Sequence, residues 1–383
     1  MKQHLTTEFS KVYGVEPQYH LSCGGRFEIL GNHTDHNHGL CLAATCNLAI
    51  SSAVNKRDDL TVRLVSEGNP SFEMTLDDLS IHPEEKNTSQ GLIRGIANYL
   101  ATRGYNIGGF DVYMTSTIFS GAGVSSSAAF ELLIGQIFNK LFNDESIEKM
   151  VLCKAGQYSE NEYFGKKSGL LDQIGVAYGG IVEIDFVDIT NPKVDLVDFP
   201  FTDLRWVIVN TGGSHADLSD EYSSIPLNMY EAAKVMGHNF LIEGSKDELE
   251  SVKHLLSDIQ YSRATHFYGE CERVLKAKEA LRNKDEELFL EMINGSRISS
   301  TNYLKNMMVK DHYEGSPLEA CDLIMSIIKN KGAVKINGGG FAGSVILAVK
   351  EEVFDELMSK MSEKYGKNNV VEVFVRTKGP SDF

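Results

Sequence analysis

The chain has 383 residues, 42% of them hydrophobic, enough to bury a substantial core and to divide into two domains. Its formal net charge of −16 argues against nucleic acid as a partner, because polyanion binders carry a basic face. No early apolar run resembles a signal sequence and no stretch approaches the roughly 20 apolar residues that span a bilayer, so a cytoplasmic protein without a membrane partner is expected.

In chain order, short β-like runs at 27–30, 60–65 and 110–114 are separated by Asn, Gly and Asp turns and interrupted by a helical pattern at 92–103. A second helical pattern covers 147–164, a Gly-flanked segment follows at 172–180, and a strand is predicted at 181–186. Residues 188–203 carry two prolines and little pattern, so the domain boundary is placed there, giving domains 1–195 and 196–383. Beyond it a buried strand is predicted at 204–210 and long helical stretches over 226–330. The chain then reads strand 333–336, Gly-rich turn, strand 344–349, helix 352–365 and strand 370–375, an α+β pattern without repeats. Six cysteines, Cys23, Cys41, Cys46, Cys153, Cys271 and Cys321, form no CxxC pair and fit reduced, buried thiols.

Polar groups concentrate at the end of the first of these strands, in Gly24-Gly25-Arg26-Phe27-Glu28-Ile29-Leu30-Gly31-Asn32-His33-Thr34-Asp35-His36-Asn37-His38-Gly39. His33, Asp35, His36 and His38 could ligate a divalent transition metal. Alternatively, Asp35 and its neighbours could hydrogen-bond sugar hydroxyls while Arg26 handles phosphate charge. A solvated turn with incidental histidines is the plain structural alternative.

Ser120-Gly121-Ala122-Gly123-Val124-Ser125-Ser126-Ser127-Ala128-Ala129 joins a small-residue loop to a helix with apolar positions Phe130, Leu133, Ile134, Ile137, Phe138 and Leu141. At that helix N-terminus, unpaired N–H groups and the positive end of the dipole favour an anion, and the glycines allow close approach. The serine hydroxyls can add hydrogen bonds or ligate Mg²⁺, although Ser and Gly also suit a simple helix cap. No Walker A loop is present: the Ser run lacks Lys, and in Gly165-Lys166-Lys167-Ser168 the hydroxyl position holds Lys167. Gly338-Gly339-Gly340-Phe341-Ala342-Gly343 satisfies GxGxxG but leads into a predicted strand, where a dinucleotide fold requires a helix.

Together these segments resemble the galactokinase family of the GHMP kinase superfamily. The stretch from Arg26 to Gly39 resembles the signature G-R-x-N-L-I-G-E-H-x-D-Y-N, the Ser run resembles the second motif, and Lys335-Ile336-Asn337-Gly338-Gly339-Gly340-Phe341-Ala342-Gly343 resembles the third. Ser168-Gly169-Leu170-Leu171-Asp172-Gln173 resembles the C-G-I-M-D-Q segment, and Asp220-Glu221-Tyr222 an S-E-Y stretch. The resemblance implies a two-domain GHMP kinase fold, with an N-terminal mixed-sheet α/β domain, a C-terminal domain with a ferredoxin-like element, and the active site in the cleft. It implies phosphoryl transfer from ATP, with Mg²⁺, to the anomeric hydroxyl of galactose, giving galactose 1-phosphate; the sequence is compatible with a monomer.

By position, the resemblance makes Asp172 and Arg26 catalytic and assigns Asn32, His33, Asp35, Gly169, Asp172 and Tyr222 to the sugar. Gly121, Ala122, Gly123, Val124, Ser125, Ser126 and Ser127 would cradle the nucleotide, Ser127 and Glu160 would hold Mg²⁺, and Gly338, Gly339, Gly340 and Gly343 would support the phosphate loop. Asp172 could accept the proton of the attacking hydroxyl, but an adjacent Arg lowers its pKa and favours an orienting role. The chain departs from the signature in carrying Glu28 for Asn, Asn32 for Glu and His36 for Tyr. A neutral amide at 32 would reset a donor–acceptor contact, so another sugar, such as N-acetylgalactosamine or arabinose, is the alternative substrate. A catalytically silent sugar sensor and a His-cluster metallohydrolase are the readings from other classes.

Overall fold

The computed structural model describes residues 1–212, 219–310 and 312–383. Its strands are β1 (Tyr19–Leu30), β2 (Leu40–Lys56), β3 (Thr61–Ser66), β4 (Phe72–Thr75), β5 (Phe110–Ser116), β6 (Ile181–Asp185), β7 (Lys193–Val197), β8 (Leu204–Asn210), β9 (Gly332–Asn337), β10 (Ser344–Lys350), β11 (Val370–Val373) and β12 (Ser381–Asp382). Its helices are α1 (Lys2–Tyr13), α2 (Ser89–Ala101), α3 (Ser126–Phe142), α4 (Lys149–Tyr158), α5 (Leu171–Ala177), α6 (Ser219–Val235), α7 (Lys246–Ser251), α8 (Asp258–Asn283), α9 (Glu286–Ser299), α10 (Pro317–Ile328) and α11 (Glu351–Tyr365).

The first sheet runs β12-β1-β2-β5-β3-β4, with β6 paired to β2 and β7 to β6. It is mixed: β3 and β5 are parallel and the other pairs antiparallel. The second sheet is antiparallel in the order β11-β8-β10-β9. With α10 before β9 and α11 between β10 and β11, that order is the 4-1-3-2 arrangement of a ferredoxin-like unit. The expected α+β GHMP kinase architecture is therefore present.

Period-2 alternation explains how the second sheet is sandwiched. Trp206 and Ile208 of β8 and Ile346 and Ala348 of β10 enter a core shared with β1, β2, α8 and α9. Val207, Val209, Val345 and Leu347 point the other way, onto α10 and α11. A further core packs α2, α3, α4 and α5 on the first sheet.

In β1 the alternation is deliberately broken. Leu21 and Cys23 face the core under α3. Phe27 and Ile29, of the same parity, face the core toward α8 and α9. The register shift between Gly24 and Arg26 makes this switch, and a second shift follows between Glu28 and Leu30. Bulges of this kind re-aim side chains, and here they bracket Arg26 and Glu28.

Several elements differ from the sequence expectation. The 17-residue β2 reads in sequence as small and polar residues, because both its faces are covered and small side chains let helices approach. The Gly-flanked segment at 172–180 begins as α5, and the helix expected over 147–164 ends in a π-helical turn, Ser159–Phe164. The patternless 188–203 contains the edge strand β7. The last residues do not stay with the second sheet: β12 pairs with β1, and Arg376 donates to Ser22 O and Oγ at 2.9 Å each. All six cysteines are free and buried. Among the described residues, no helix is long and apolar enough to cross a membrane.

Candidate active site

The re-aimed Arg26 meets the first turn of α5. Its Nε lies 2.8 Å and its Nη2 2.6 Å from Asp172 Oδ1, while Nη1 donates to Gly123 O at 2.8 Å. Burial alone would raise the Asp172 carboxyl, but Arg26 and the Ser125 hydroxyl outweigh it and hold the group below its ordinary value. Asp172 is thus an ionised, oriented carboxylate at the glycine-rich loop that precedes α3.

Ser125 precedes α3 with φ +54° and makes no cap hydrogen bond; its hydroxyl donates to Asp172 Oδ2. The simple helix-cap reading of this serine therefore fails. Ser126 is exposed, and Ser127 Oγ donates to Glu160 Oε1 at 3.3 Å. Gly121 and Gly123 take φ of +80° and +69°, and Ala122 and Val124 are buried as anchors. Glu160 sits in the π-helical turn, a distortion frequent at functional sites, where Lys166 Nζ approaches it to 2.8 Å.

The loop is held from the second sheet, but not by the glycines expected to do so. Asn337 Nδ2 donates to Ala122 O at 3.3 Å and Gly123 O at 3.1 Å, Ser344 Oγ donates to Ala122 O at 3.0 Å, and Asn210 Nδ2 donates to Ser120 O at 3.3 Å. Gly338 O, Gly339 O and Gly340 O instead accept from Asn32, His33 and Tyr222, and Gly343 O accepts from Thr211. The physical reason is direction: the β9–β10 turn projects its carbonyls toward the polar segment after β1, toward Tyr222 of α6 and toward Thr211 after β8, and the flanking side chains reach the loop instead.

The predicted sugar residues surround a cavity of about 240 Å³ lined by Arg26, Glu28, Asn32, His33, Asp35, Gly169, Asp172 and Tyr222, among others. It opens into a wider cleft of about 1210 Å³ that shares His33, Asp35, Gly169 and Tyr222. Asp35 Oδ2 faces Gly169, where a Cβ would stand 2.8 Å from that oxygen. Tyr222 donates to Gly340 O at 2.7 Å.

Asn32 is not presented to the cavity as a free amide. It is 1% exposed, and its Nδ2 donates to Gly338 O at 2.7 Å and Glu28 Oε1 at 3.1 Å. Its Oδ1 accepts from Asn306 Nδ2 at 2.8 Å. Both amide donors are consumed within the protein.

The histidines do not assemble as a metal site. His33 Nε2 donates to Gly339 O at 2.8 Å, and burial together with neighbouring His36 pushes its pKa down to about 3, so the ring is neutral. His38 stacks on Phe240 at 3.7 Å between ring centroids. Among the described residues no group of three or more His, Cys, Asp and Glu is arranged to hold a metal ion.

Residues 7–56 match the galactokinase galactose-binding signature, and residues 91–180 match the GHMP kinases N terminal domain. A galactokinase of Clostridium tetani is 30% identical over 95% of this chain and 92% of its own length. The chain belongs to the galactokinase family. A galactokinase of Streptococcus mutans is 30% identical over 99% of this chain and 94% of its own length. In fold, the chain resembles a Lactococcus lactis galactokinase complexed with galactose, with TM-score 0.86, 24% identity and full coverage of both chains. It also resembles the Methanococcus jannaschii mevalonate kinase, with TM-score 0.65, 16% identity and coverage of 93% and 98%.

Beside the galactokinase motifs lies a buried framework that sequence reading missed. Lys335 is fully buried and its Nζ lies 2.8 Å from Glu28 Oε1. Glu270, on α8, accepts from Gly31 N at 3.1 Å, Asn32 N at 3.4 Å and Ser296 Oγ at 2.6 Å, and from Arg273 at 2.7 Å. His266 Nε2 lies 2.9 Å from Asn32 O. In sequence, Glu270 and His266 are ordinary polar residues of a long helix; only their burial marks them.

Proposed function

We propose that this enzyme transfers the γ-phosphoryl group of ATP to the anomeric hydroxyl of galactose, giving galactose 1-phosphate and ADP. The observation that carries the reading is the Arg26–Asp172–Ser125 arrangement, which fixes an ionised carboxylate between a sugar-sized cavity and the glycine loop at the start of α3. Asp172 orients the anomeric hydroxyl; as its oxygen bonds to the γ-phosphorus and the bridging P–O bond to ADP breaks, the proton passes toward the carboxylate or to solvent. Arg26, pinned to Asp172 and Gly123 O, places positive charge beside the transferring group. The α3 N-terminus and the backbone of Gly121 to Ser127 supply donors for the remaining phosphate oxygens.

Ser127 and Glu160 suit Mg²⁺, a hard cation that takes oxygen ligands: their oxygens lie 3.3 Å apart, and Glu160 is buried beneath Lys166, which lines the cleft. When bound, Mg²⁺ would neutralise charge on the phosphate oxygens. Asp35 accepts from a sugar hydroxyl, with Gly169 leaving it room. The chain is read as two domains meeting at the site in a cytoplasmic enzyme, with the boundary moved from 195 to beyond Val197 because β7 belongs to the first sheet, which the returning β12 also joins.

The test is ADP release with galactose, N-acetylgalactosamine, glucose, arabinose and mannose, with ³¹P NMR locating the phosphate. Galactose should be turned over with the phosphate on C1. Binding of galactose and ATP without ADP release would instead indicate a silent sensor.

A further inference from the structure

Glu28 occupies an unusual position for a carboxylate. It is 3% exposed and yet lines the small cavity together with Arg26, Asp35 and Asp172. Its Oε1 is shared between Lys335 Nζ at 2.8 Å and Asn32 Nδ2 at 3.1 Å. Its Oε2 takes part in none of the hydrogen bonds among the described residues, and it is not sealed from the cavity as the enclosed unpartnered atoms of Glu131 and Gln173 are. Lys335, also bonded to Ile336 O at 2.7 Å and Glu28 O at 3.3 Å, faces no substrate and serves to hold this carboxylate in place.

A buried carboxylate oxygen without a donor is costly, and such groups find partners. We infer that Glu28 is a specificity-determining residue, whose free oxygen accepts a hydrogen bond from a sugar hydroxyl on the side of the ring away from the reacting carbon. This rests on the sugar-kinase reading above and deepens it.

Geometry selects the side. Arg26 marks the reacting end through Asp172, and Glu28 lies two residues further along the same strand, about 6.6 Å away at ordinary strand rise. That is about the width of a pyranose ring with its hydroxyls. The bulges on either side of this pair turn both side chains toward the cavity. Asn32 is not the acceptor here, because its buried Oδ1 already accepts from Asn306 Nδ2 at 2.8 Å, while its Nδ2 is spent on Glu28 and Gly338. The acceptor at this edge of the cavity is therefore a carboxylate contributed from position 28, with Asn32 acting as its brace.

The experiment compares wild type and Glu28→Gln on galactose and on its 2-, 3-, 4- and 6-deoxy forms, by steady-state ADP release and by calorimetric sugar binding without ATP. The expected result is a KM and a Kd for galactose raised about 10- to 100-fold, with kcat within a few-fold of wild type. For one distal deoxy sugar, the 3-, 4- or 6-deoxy form, wild type and variant should become equal. Glu28→Asp, which keeps a charge for Lys335 but withdraws the oxygen by one methylene, should show the same pattern and carries the test if the Gln variant does not fold. Equal losses on every deoxy sugar, an unchanged Kd, or equality only on the 2-deoxy form would overturn the assignment. Galactose binding without ADP release in wild type would defeat the kinase reading while leaving the pattern in Kd to decide on Glu28; absence of galactose binding would overturn both.

Discussion

Arg26 Nε and Asp172 Oδ1 lie 2.8 Å apart although 146 residues separate them in the chain. One comes from a bulged strand and the other from the first turn of a short helix, and their pairing brings the small cavity and the glycine-rich loop before α3 to a common point.

Asp172→Asn should lower kcat by about 10²- to 10⁴-fold, the range associated with loss of a positioned acid–base group. Galactose Kd should change far less, because Asn retains an oxygen that can accept from Ser125. ADP release and calorimetry on the same preparation check both. Since Arg26 and Ser125 hold the wild-type carboxyl below its ordinary range, kcat/KM should show no acid limb from Asp172 between pH 5 and 8.

Asn337→Ala should weaken ATP more than sugar. Its Nδ2 donates to Ala122 O and Gly123 O, while its Oδ1 makes one longer contact, accepting from Glu28 N at 3.3 Å. We expect KM for ATP to rise several-fold and KM for galactose to rise less; the reverse pattern would make the contact with Glu28 N the dominant role of Asn337.

Gly123→Ala should both destabilise the fold and disable the loop. The residue has φ +69°, and an added Cβ would collide with Ser344 Oγ. Strain of about 1–3 kcal/mol is expected, read as a lower urea midpoint at unchanged m-value, with a raised KM for ATP.

Glu270 should make stability acid-sensitive. Burial opposes its ionisation, but Arg273, His266 and Ser296 outweigh that and bring its pKa down to about 2, against about 4.3 in an unfolded chain. A depressed carboxyl contributes stability in full above the unfolded value and loses it as pH falls toward the folded one. Glu270→Gln should therefore be less stable than wild type at pH 7, with the gap narrowing between pH 5 and 2. Melting temperatures across that window test the sign; a constant gap would assign Glu270 only a packing role.

Much of this protein was legible in one dimension. The Ser run, the Gly-rich turn leading into a strand, and the polar segment after β1 are contiguous motifs whose chemistry is local, so residue type and spacing carried them. The strand and helix alternation of residues 332–373 was also legible as an α+β pattern, and the family resemblance implied the ferredoxin-like unit that β8–β11 form. What escaped was nonlocal: the small-residue β2, covered on both faces, the return of β12 to β1, and the redirected glycine carbonyls.

The sequence by itself determined the glycine- and serine-rich loop before α3, the family, and the presence of Arg26, Asp35 and Asp172. Tertiary structure alone decided how they are used. A register shift in β1 turned Arg26 and Glu28 inward, and Asn337 and Ser344 arrived from the second sheet to hold the loop. Lys335 and Asn306, with Gly338, fixed Glu28 and Asn32 into one buried unit. The reason is that a hydrogen bond's worth depends on burial and on partners far away in the chain, neither of which a residue's neighbours in sequence encode.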